Sequence, residues 1–412
     1  MYTHDPDVLV VGGGPAGAAA GYWLARAGHS VVVAEKKEFP RPKTCGDALT
    51  PRAVLQLQDM GFDFSAPQVH RVDGLRAYAG DATIELPWPQ HSRFPAWGAV
   101  IRRADLDGQV AAMVGKQGGV LLQGTEASAV VDDGRLAAVE LRHDGEISVV
   151  TPRYVVVADG ALSRFGRALG THRDRRRPFG LGVRGYYASP ASTDNFLESH
   201  LDVRDGDGRS IAGYGWAFPL GDGTVNVGVG VLSTFRGWKE VNTSHLLHRL
   251  VAQLPGHWDI DSHAARGRPT GGRLPMALSV GPAWGPNWLL VGDAAGAVNP
   301  FNGEGIDYAY ETGRMAAGFI SAAIGGDPAA LSGYPIALAD RYGPYLRVAR
   351  AFARAIGHPK LMRALVRTGM RSRSVMEWAL KVMANLLDGD EAGMAERVYG
   401  AIERIVAMGP DP

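Results

Sequence analysis

The chain has 412 residues, of which 46% are hydrophobic and 21% charged, and its formal net charge at pH 7 is +1. This composition is typical of a globular protein of about two to three domains, and the near-zero charge excludes a uniformly basic nucleic-acid binder. Cys45 is the sole cysteine, so no disulfide can form within the chain, which suits a reducing compartment. Residues 1–7 lack a basic-then-apolar pattern, so we expect no signal peptide. Three prolines interrupt the uncharged run 274–292, so we also expect no transmembrane helix.

The first pattern along the chain is a glycine-rich turn between two apolar runs. Residues 8–11 predict a buried parallel strand, and the alanine-rich run after the turn predicts a helix whose N-terminus faces a diphosphate. The second apolar run ends in Glu35, where a carboxylate can bind ribose hydroxyls. A glycine turn without a ligand would leave Glu35 unexplained. We therefore predict a Rossmann-type dinucleotide site formed by Gly12, Gly14, Pro15, Ala16, Gly17, Glu35 and Lys36.

The middle of the chain alternates between helical and strand patterns. Helices are predicted over 52–60 and 103–116, short strands over 70–100, and strands with a hairpin turn over 120–141. A further apolar strand ends in Asp159-Gly160.

The second half of the chain returns to a buried strand after an antiparallel sheet. Strands are predicted over 178–235 and a helix over 243–254, after which a strand ends in Gly292-Asp293. Residues 299–305, rich in Asn and Gly, then lead into a long helix. This order predicts a nucleotide-binding domain from segments 1–70, 100–175 and 265–330, a substrate domain from 71–99 and 176–264, and a helical region over 331–412.

Three motifs follow one another along the chain: the glycine turn with Glu35, the strand that ends in Asp159-Gly160, and the strand that ends in Gly292-Asp293 with the loop from Gly303. Together they resemble the motifs of the flavin oxidoreductases of the para-hydroxybenzoate hydroxylase fold, over about residues 5–325. The resemblance implies an α/β fold: a Rossmann-type FAD-binding domain, an inserted α+β substrate domain with an antiparallel sheet, and a helical C-terminal region. It also implies non-covalent FAD and no metal, with Asp293 at a ribityl hydroxyl and the loop from Gly303 facing the flavin N1. The further FAD-binding residues that it implies are Cys45, Gly46, Arg103, Asp159, Gly160, Gly292, Asp293, Pro300, Gly303, Gly305 and Ile306.

Two stretches resemble a branch of that superfamily, the geranylgeranyl reductase family. They are residues 43–49, Lys-Thr-Cys-Gly-Asp-Ala-Leu, and residues 214–219, Tyr-Gly-Trp-Ala-Phe-Pro. The family's second motif begins with proline, and this chain has Ile211 there. Aromatic residues at a spacing of two share one face of a strand, which gives either a wall for an apolar polyprenyl chain or core packing. We expect the substrate to contact Tyr214, Trp216, Phe218 and Pro219.

Members of the family reduce isolated carbon–carbon double bonds of prenyl groups. The resemblance therefore implies an FAD-dependent reductase of a polyprenyl lipid, and we expect it to saturate one isoprene unit of the menaquinone tail. Such an alkene needs a hydride at one carbon and a proton at the other. The candidate proton sources are Cys45, Tyr214, water held by Asp47, and the flavin itself, and we also place Trp216 at the reacting centre.

Several alternatives remain open on the sequence alone. They are a geranylgeranyl-lipid reductase, an aromatic monooxygenase or halogenase of the same fold, and a flavin-binding redox sensor or lipid carrier. The electron donor is also open, either NAD(P)H or a redox protein, because the chain has no second complete dinucleotide fingerprint.

The C-terminal region is strongly basic. Residues 341–381 contain ten Lys or Arg and one acid, with apolar residues interleaved at helical spacing. This pattern is typical of helices that lie on anionic lipid, although a solvated face of helices packed on the flavin domain would also produce it. We expect a peripheral protein at the cytoplasmic face of the cell membrane. We expect no nucleic-acid partner.

Overall fold

The computed structural model describes residues 4–262, 264–387 and 394–409, so parts of the first predicted segment and of the predicted helical region lie outside the described residues. The strands are β1 (Val8–Val11), β2 (Val31–Ala34), β3 (Ala48–Leu49), β4 (His70–Val72), β5 (Gly74–Ala79), β6 (Ala82–Pro87), β7 (Gly98–Val100), β8 (Val120–Leu122), β9 (Glu126–Asp132), β10 (Arg135–His143), β11 (Glu146–Val150), β12 (Tyr154–Val157), β13 (His172–Arg173), β14 (Phe179–Ala188), β15 (Phe196–His200), β16 (Gly213–Pro219), β17 (Thr224–Leu232), β18 (Thr270–Pro275), β19 (Val280–Gly281), β20 (Trp284–Gly285) and β21 (Trp288–Leu290). The helices are α1 (Pro15–Arg26), α2 (Pro51–Met60), α3 (Arg103–Lys116), α4 (Arg164–Ala168), α5 (Thr243–Gln253), α6 (Ile306–Ile324), α7 (Tyr334–Ile356), α8 (Pro359–Gly369), α9 (Arg373–Met383) and α10 (Met394–Met408).

The nucleotide-binding domain is built on a sheet with the strand order β20-β21-β12-β1-β2-β8. The central strand β1 pairs in parallel with both β2 and β12, and all of its residues are buried. Continuous Val and Leu runs are expected in such strands because helices cover both faces of a parallel sheet. The sheet draws on strands from three separated segments of the chain.

The substrate domain is built on a sheet with the order β18-β14-β17-β16-β15-β5-β6. Two features correct the sequence prediction. β15 pairs in parallel with β5, so the sheet is mixed rather than purely antiparallel. β18 pairs with β14 over six residues, which moves the boundary predicted at residue 265 to a position after Pro275. No local pattern links β18 to the second sheet, because its pairing partner β14 lies almost a hundred residues earlier in the chain.

The C-terminal helices pack on the nucleotide-binding domain and border the substrate domain. In α7, Tyr334 and Tyr342 are fully buried in the core that also contains β1 and α1. The side chain of Leu380, in α9, is buried beside Trp216 and Phe218 of the second sheet. Among the described residues, the helices are all too short or too polar to cross a lipid bilayer.

Candidate active site

One large cavity joins the two domains. Its volume is about 1750 Å³, and its lining combines the β1–α1 turn, strands of the second sheet and the inner faces of α7 to α10. The lining is mostly apolar on the side of the second sheet and the C-terminal helices. Trp88, Leu197, Phe352, Met362, Trp378 and Ile402 are among the residues there.

Each glycine of the β1–α1 turn has a different structural role. Gly12 has φ +103° and a Cβ on it would lie 2.5 Å from the carbonyl oxygen of Ala158, so both its conformation and its space require glycine. A Cβ on Gly17 would lie 1.8 Å from the carbonyl oxygen of Gly12, which explains the close approach of helix and strand. A Cβ on Gly14 would have only an Arg41 nitrogen within 4 Å, at 3.7 Å. The space beside Gly14 is therefore available to a ligand.

The acid at the end of β2 belongs to a network with the turn. The Glu35 carboxylate accepts hydrogen bonds from the amide of Gly13 at 3.0 Å and the amide of Lys37 at 2.9 Å. Arg41 bridges Glu35, at 3.2 Å, and Asp107, at 3.1 Å. Arg103 also pairs with Asp107, so these charges are compensated within the cavity wall.

Both aspartates that follow the central strands border the cavity. The Asp159 Oδ2 accepts from the amide of Phe165 at 3.0 Å. Its Oδ1 is buried without a hydrogen-bond partner among the described residues, and burial raises the pKa of this carboxyl. Asp293 is partly exposed to the cavity, and Lys43 Nζ is its ion-pair partner at 4.0 Å. These two carboxyls are suited to accepting hydroxyl donors of a ligand.

Helix N-termini meet the cavity at two points. Gly14 and Gly305 are the N-cap residues of α1 and α6, and neither helix has a side chain that caps it. Pro300, Gly303, Gly305 and Ile306 all line the cavity. Uncapped helix N-termini favour bound negative charge, such as a diphosphate or an anionic ring.

The aromatic residues of β16 form one wall of the cavity. Tyr214 and Trp216 have ring centroids 5.9 Å apart, and Trp216 and Phe218 have centroids 6.1 Å apart. All three rings line the cavity, on the single strand face that the alternation predicts. A Cβ on Gly46 would lie 2.9 Å from the Phe218 ring, so the Cys45 loop packs directly on this wall.

The loop that contains Cys45 is held in place by polar contacts from the second sheet. The Asn226 amide donates to the Cys45 carbonyl at 2.9 Å and to the Asp47 carboxylate at 2.8 Å. The Asp47 carboxylate also accepts from the Tyr186 hydroxyl at 2.6 Å and from the Arg103 amide at 3.1 Å. Burial raises the pKa of the Cys45 thiol, which borders the cavity.

Four residues of the predicted site do not contribute to the cavity lining. Asp47 is fully buried, and its carboxylate accepts hydrogen bonds from Tyr186, Asn226 and the Arg103 amide, so it orders the loop. Pro219 ends β16, where it pairs with Val225. Gly17 and Gly292 serve the packing of α1, since a Cβ on Gly292 would lie 2.7 Å from the Ala16 Cβ.

Sequence reasoning missed three residues that shape the site. Arg41 lies in a proline-rich segment, and Asn226 lies in a strand of alternating valines, so neither gives a signal. Glu304 is part of the glycine loop and borders the cavity. An acid inside a glycine-rich loop was a signal that the sequence did offer.

The observed site fits FAD. The free space beside Gly14 and the uncapped N-terminus of α1 suit the diphosphate, and the unpartnered Oδ1 of Asp159 offers an acceptor. The uncapped N-terminus of α6 suits the electron-rich edge of a flavin ring.

Comparisons with known proteins agree with this fit. A family model described as an FAD binding domain matches residues 5–193. The menaquinone reductase of Mycolicibacterium smegmatis is 40% identical over 395 residues, which are 95% of this chain and 95% of that protein. The digeranylgeranylglycerophospholipid reductase of Thermoplasma acidophilum is 29% identical over 77% of this chain and 78% of that protein. The crystal structure of a geranylgeranyl bacteriochlorophyll reductase-like protein from Thermoplasma acidophilum is 24% identical, with a TM-score of 0.79, and the match covers 97% of this chain and 100% of that one.

The fold and the site together define an FAD-dependent oxidoreductase of the para-hydroxybenzoate hydroxylase fold. The identity of 40% extends over nearly the whole of both chains. The chain belongs to the geranylgeranyl reductase family of flavoproteins.

Proposed function

We propose that this protein saturates an isolated carbon–carbon double bond in a polyprenyl chain, and that its substrate is the tail of menaquinone. The observation that supports this most directly is the continuity of the cavity, which combines the FAD-binding turn with a long apolar region. The 40% identity to a menaquinone reductase favours that lipid among prenyl substrates.

The chain's own residues bind and orient such a tail. The stacked rings of Trp216 and Phe218 offer a flat apolar surface, and Phe352, Met362 and Trp378 contribute from the helices. An apolar wall offers water no hydrogen-bond partner, so it favours a prenyl tail over water in this part of the cavity. FAD bound at the β1–α1 turn would, once reduced, supply the hydride.

The experiment that tests the function is an anaerobic incubation of chemically reduced, FAD-loaded enzyme with unsaturated menaquinone in detergent. After reoxidation of the quinone ring in air, we expect mass spectrometry to show menaquinone whose tail is heavier by the mass of two hydrogen atoms. Protein with FAD removed is the matched control. A strict requirement for oxygen would contradict the reductase and favour a monooxygenase or halogenase, whereas bound lipid without a hydrogenated product would favour a lipid carrier or redox sensor.

We also propose that the enzyme takes up its lipid from an anionic membrane surface through α8 and α9. Leu365 and Val375 both border the cavity and are about half exposed, at 47% and 48%. Exposed basic side chains lie on the same two helices and in the turn between them, namely Lys360, Arg363, Arg367, Arg371 and Arg373. Exposed apolar residues at a cavity rim, on helices that also carry exposed cations, suit contact with anionic lipid. We place this surface at the cytoplasmic face.

Vesicle sedimentation tests the membrane contact. We expect the FAD-loaded protein to bind phosphatidylcholine vesicles that contain phosphatidylglycerol, and to bind pure phosphatidylcholine much less. Because each basic residue contributes about 1 kcal/mol at such a surface, the double variant Lys360→Glu/Arg371→Glu should bind at least about tenfold more weakly. Arg135→Glu/Arg142→Glu, at exposed positions of β10, is the charge-matched control. Equal binding by both variants would contradict the proposal.

A further inference from the structure

Glu304 is the acidic residue of the glycine loop, and it borders the cavity. The Thr50 hydroxyl donates a hydrogen bond to its Oε1, and the Asn302 amide donates to its Oε2 at 3.3 Å. The carbonyl oxygen of the same Asn302 accepts the hydroxyl hydrogen of Tyr214. Glu304 therefore lies next to the aromatic wall, and both of its polar contacts are donors that stabilise a carboxylate.

The surroundings of Glu304 contain more buried carboxyls than cations. Asp307 and Glu311 follow it in α6, and within the part of the chain that the structure describes, Arg52 of α2 is the buried cation that faces all three. Arg52 is committed mainly to Glu311, at 2.7 Å, and its distance to the Asp307 carboxylate is 3.5 Å. A buried anion without a counter-charge is costly, so burial favours the protonated form of the carboxyls that Arg52 does not neutralise.

The remaining titratable groups around Glu304 do not change this balance. They are Tyr308 of α6, Tyr345 of α7, Tyr214 of β16 and, reaching Glu311 from the surface at 3.8 Å, Arg341. Burial raises the pKa of Glu304 to about 7, against the opposing hydrogen bonds from Thr50 and Asn302. An acid with a pKa near the working pH is well matched to proton transfer.

The other proton sources at the cavity hold their protons more tightly. Burial raises the pKa of the Cys45 thiol and that of the Tyr214 hydroxyl. The Tyr214 hydrogen is also engaged by the Asn302 carbonyl at 2.6 Å. Asp47 does not reach the cavity lining.

We propose that Glu304 is the acid that protonates the alkene, an assignment that rests on the proposed reductase function. One alkene carbon gains a hydride from the reduced cofactor, and the π electron pair forms a carbon–hydrogen bond to the Glu304 proton at the other carbon. The product is a saturated unit and a Glu304 carboxylate, which the bonds from Thr50 and Asn302 stabilise. The carboxylate then regains a proton from solvent, so atoms and electrons balance.

The test is a single-turnover reaction of reduced, FAD-loaded enzyme with unsaturated menaquinone, in which the rate of tail saturation is measured between pH 5 and pH 9. We expect the rate of the wild-type enzyme to fall as pH rises through about 7, because only the protonated carboxyl donates. Glu304→Gln should lose at least about a hundredfold in rate and the dependence on this ionisation. Infrared spectra without substrate give an independent readout: the wild-type enzyme should lose a protonated-carboxyl band over the same pH range, and Glu304→Gln should lack that band.

Two further variants keep the proposal falsifiable. Asp307→Asn replaces a neighbouring carboxyl that does not line the cavity and whose pKa burial holds well above its usual range, so its rate and pH profile should match the wild type. Glu304→Asp should keep a pH-dependent reaction at a reduced rate, and it substitutes for Glu304→Gln if that variant does not fold. A wild-type rate and pH profile in the Glu304 variants would overturn the proton donor while leaving the reductase function intact. Absence of saturated product with the wild-type enzyme would instead defeat the proposed function itself.

Discussion

The Tyr214 hydroxyl donates a hydrogen bond to the carbonyl oxygen of Asn302 over 2.6 Å. Tyr214 belongs to the central part of the substrate sheet, whereas Asn302 belongs to the glycine loop that precedes α6 in the nucleotide-binding domain. One bond therefore fixes the aromatic wall relative to the loop that the sequence predicts to face the flavin. If the proposed function holds, the distance between substrate and cofactor depends on that alignment.

Tyr214→Phe removes this bond and keeps the ring. We expect unchanged FAD content, a loss of about 1 kcal/mol in the free energy of unfolding, and slower saturation of the prenyl tail, because the wall and the loop are no longer tied. Urea denaturation and single-turnover kinetics measure the two effects. Tyr187→Phe, in the buried core of the same sheet, is the control and should leave the rate unchanged. Equal rates for both variants would show that the bond does not position the substrate.

Alanine substitutions at two glycines of the first turn should affect different properties, FAD binding at one and stability at the other. Gly14→Ala meets no protein atom closer than 3.7 Å, so we expect a folded protein that binds FAD weakly, since the added methyl occupies the space for the diphosphate. Gly17→Ala collides with the Gly12 carbonyl and should destabilise the fold itself. Flavin absorbance and circular dichroism separate these results. Full FAD occupancy in Gly14→Ala would contradict the placement of the diphosphate beside Gly14.

The aromatic wall depends on a glycine in the neighbouring strand. A Cβ on Gly228 would lie 2.1 Å from the Trp216 ring, whereas a Cβ on Gly230 would have its nearest neighbour at 3.9 Å. Gly228→Ala should therefore displace Trp216 and cost about 1–3 kcal/mol of stability. Gly230→Ala should leave the melting temperature close to that of the wild type. Similar melting temperatures for the two variants would contradict the packing described for this wall.

The ionisation of Glu304 also predicts how stability depends on pH. Folding raises the pKa of this carboxyl from its ordinary value of 4.5 to about 7, so the stability that its neutral form contributes is lost as pH rises between these values. The side chain in Glu304→Gln stays neutral at every pH. The free energy of unfolding of this variant, relative to that of the wild type, should therefore rise from pH 5 to pH 8 by on the order of 3 kcal/mol. Denaturation of FAD-loaded protein at each pH measures this. Glu146→Gln, at an exposed hairpin position, should show a constant difference.

Local rules account for the parts of the molecule that the sequence predicts well. The strand, glycine turn, helix and acid from Val8 to Glu35 lie within 28 consecutive residues, and the buried runs ending at Asp159 and Asp293 are equally local. The position of β18 depends instead on pairing with β14, which no local pattern specifies. The Cys45 loop is held by Asn226, 181 residues away, and the protonation of Glu304 depends on Arg52 being engaged by Glu311. Such relationships arise only when distant segments meet.

The packing of α1 against α6 has a consequence for how the protein is assembled. A Cβ on Gly313 would lie 2.3 Å from the carbonyl oxygen of Ala16, so these two helices, which lie at distant points of the chain, meet backbone to backbone. During synthesis from the N-terminus, the early strands must wait for α6 before this face of the sheet is covered. The residues that would hold FAD all precede Asp307, whereas the cavity residues of α9 and α10 follow it. The residues that would hold the cofactor are therefore synthesised first, but the side-chain amides of Asn299 and Asn302 in the glycine loop donate to the carbonyl of Met383, so α9 must also fold before that loop is held in place.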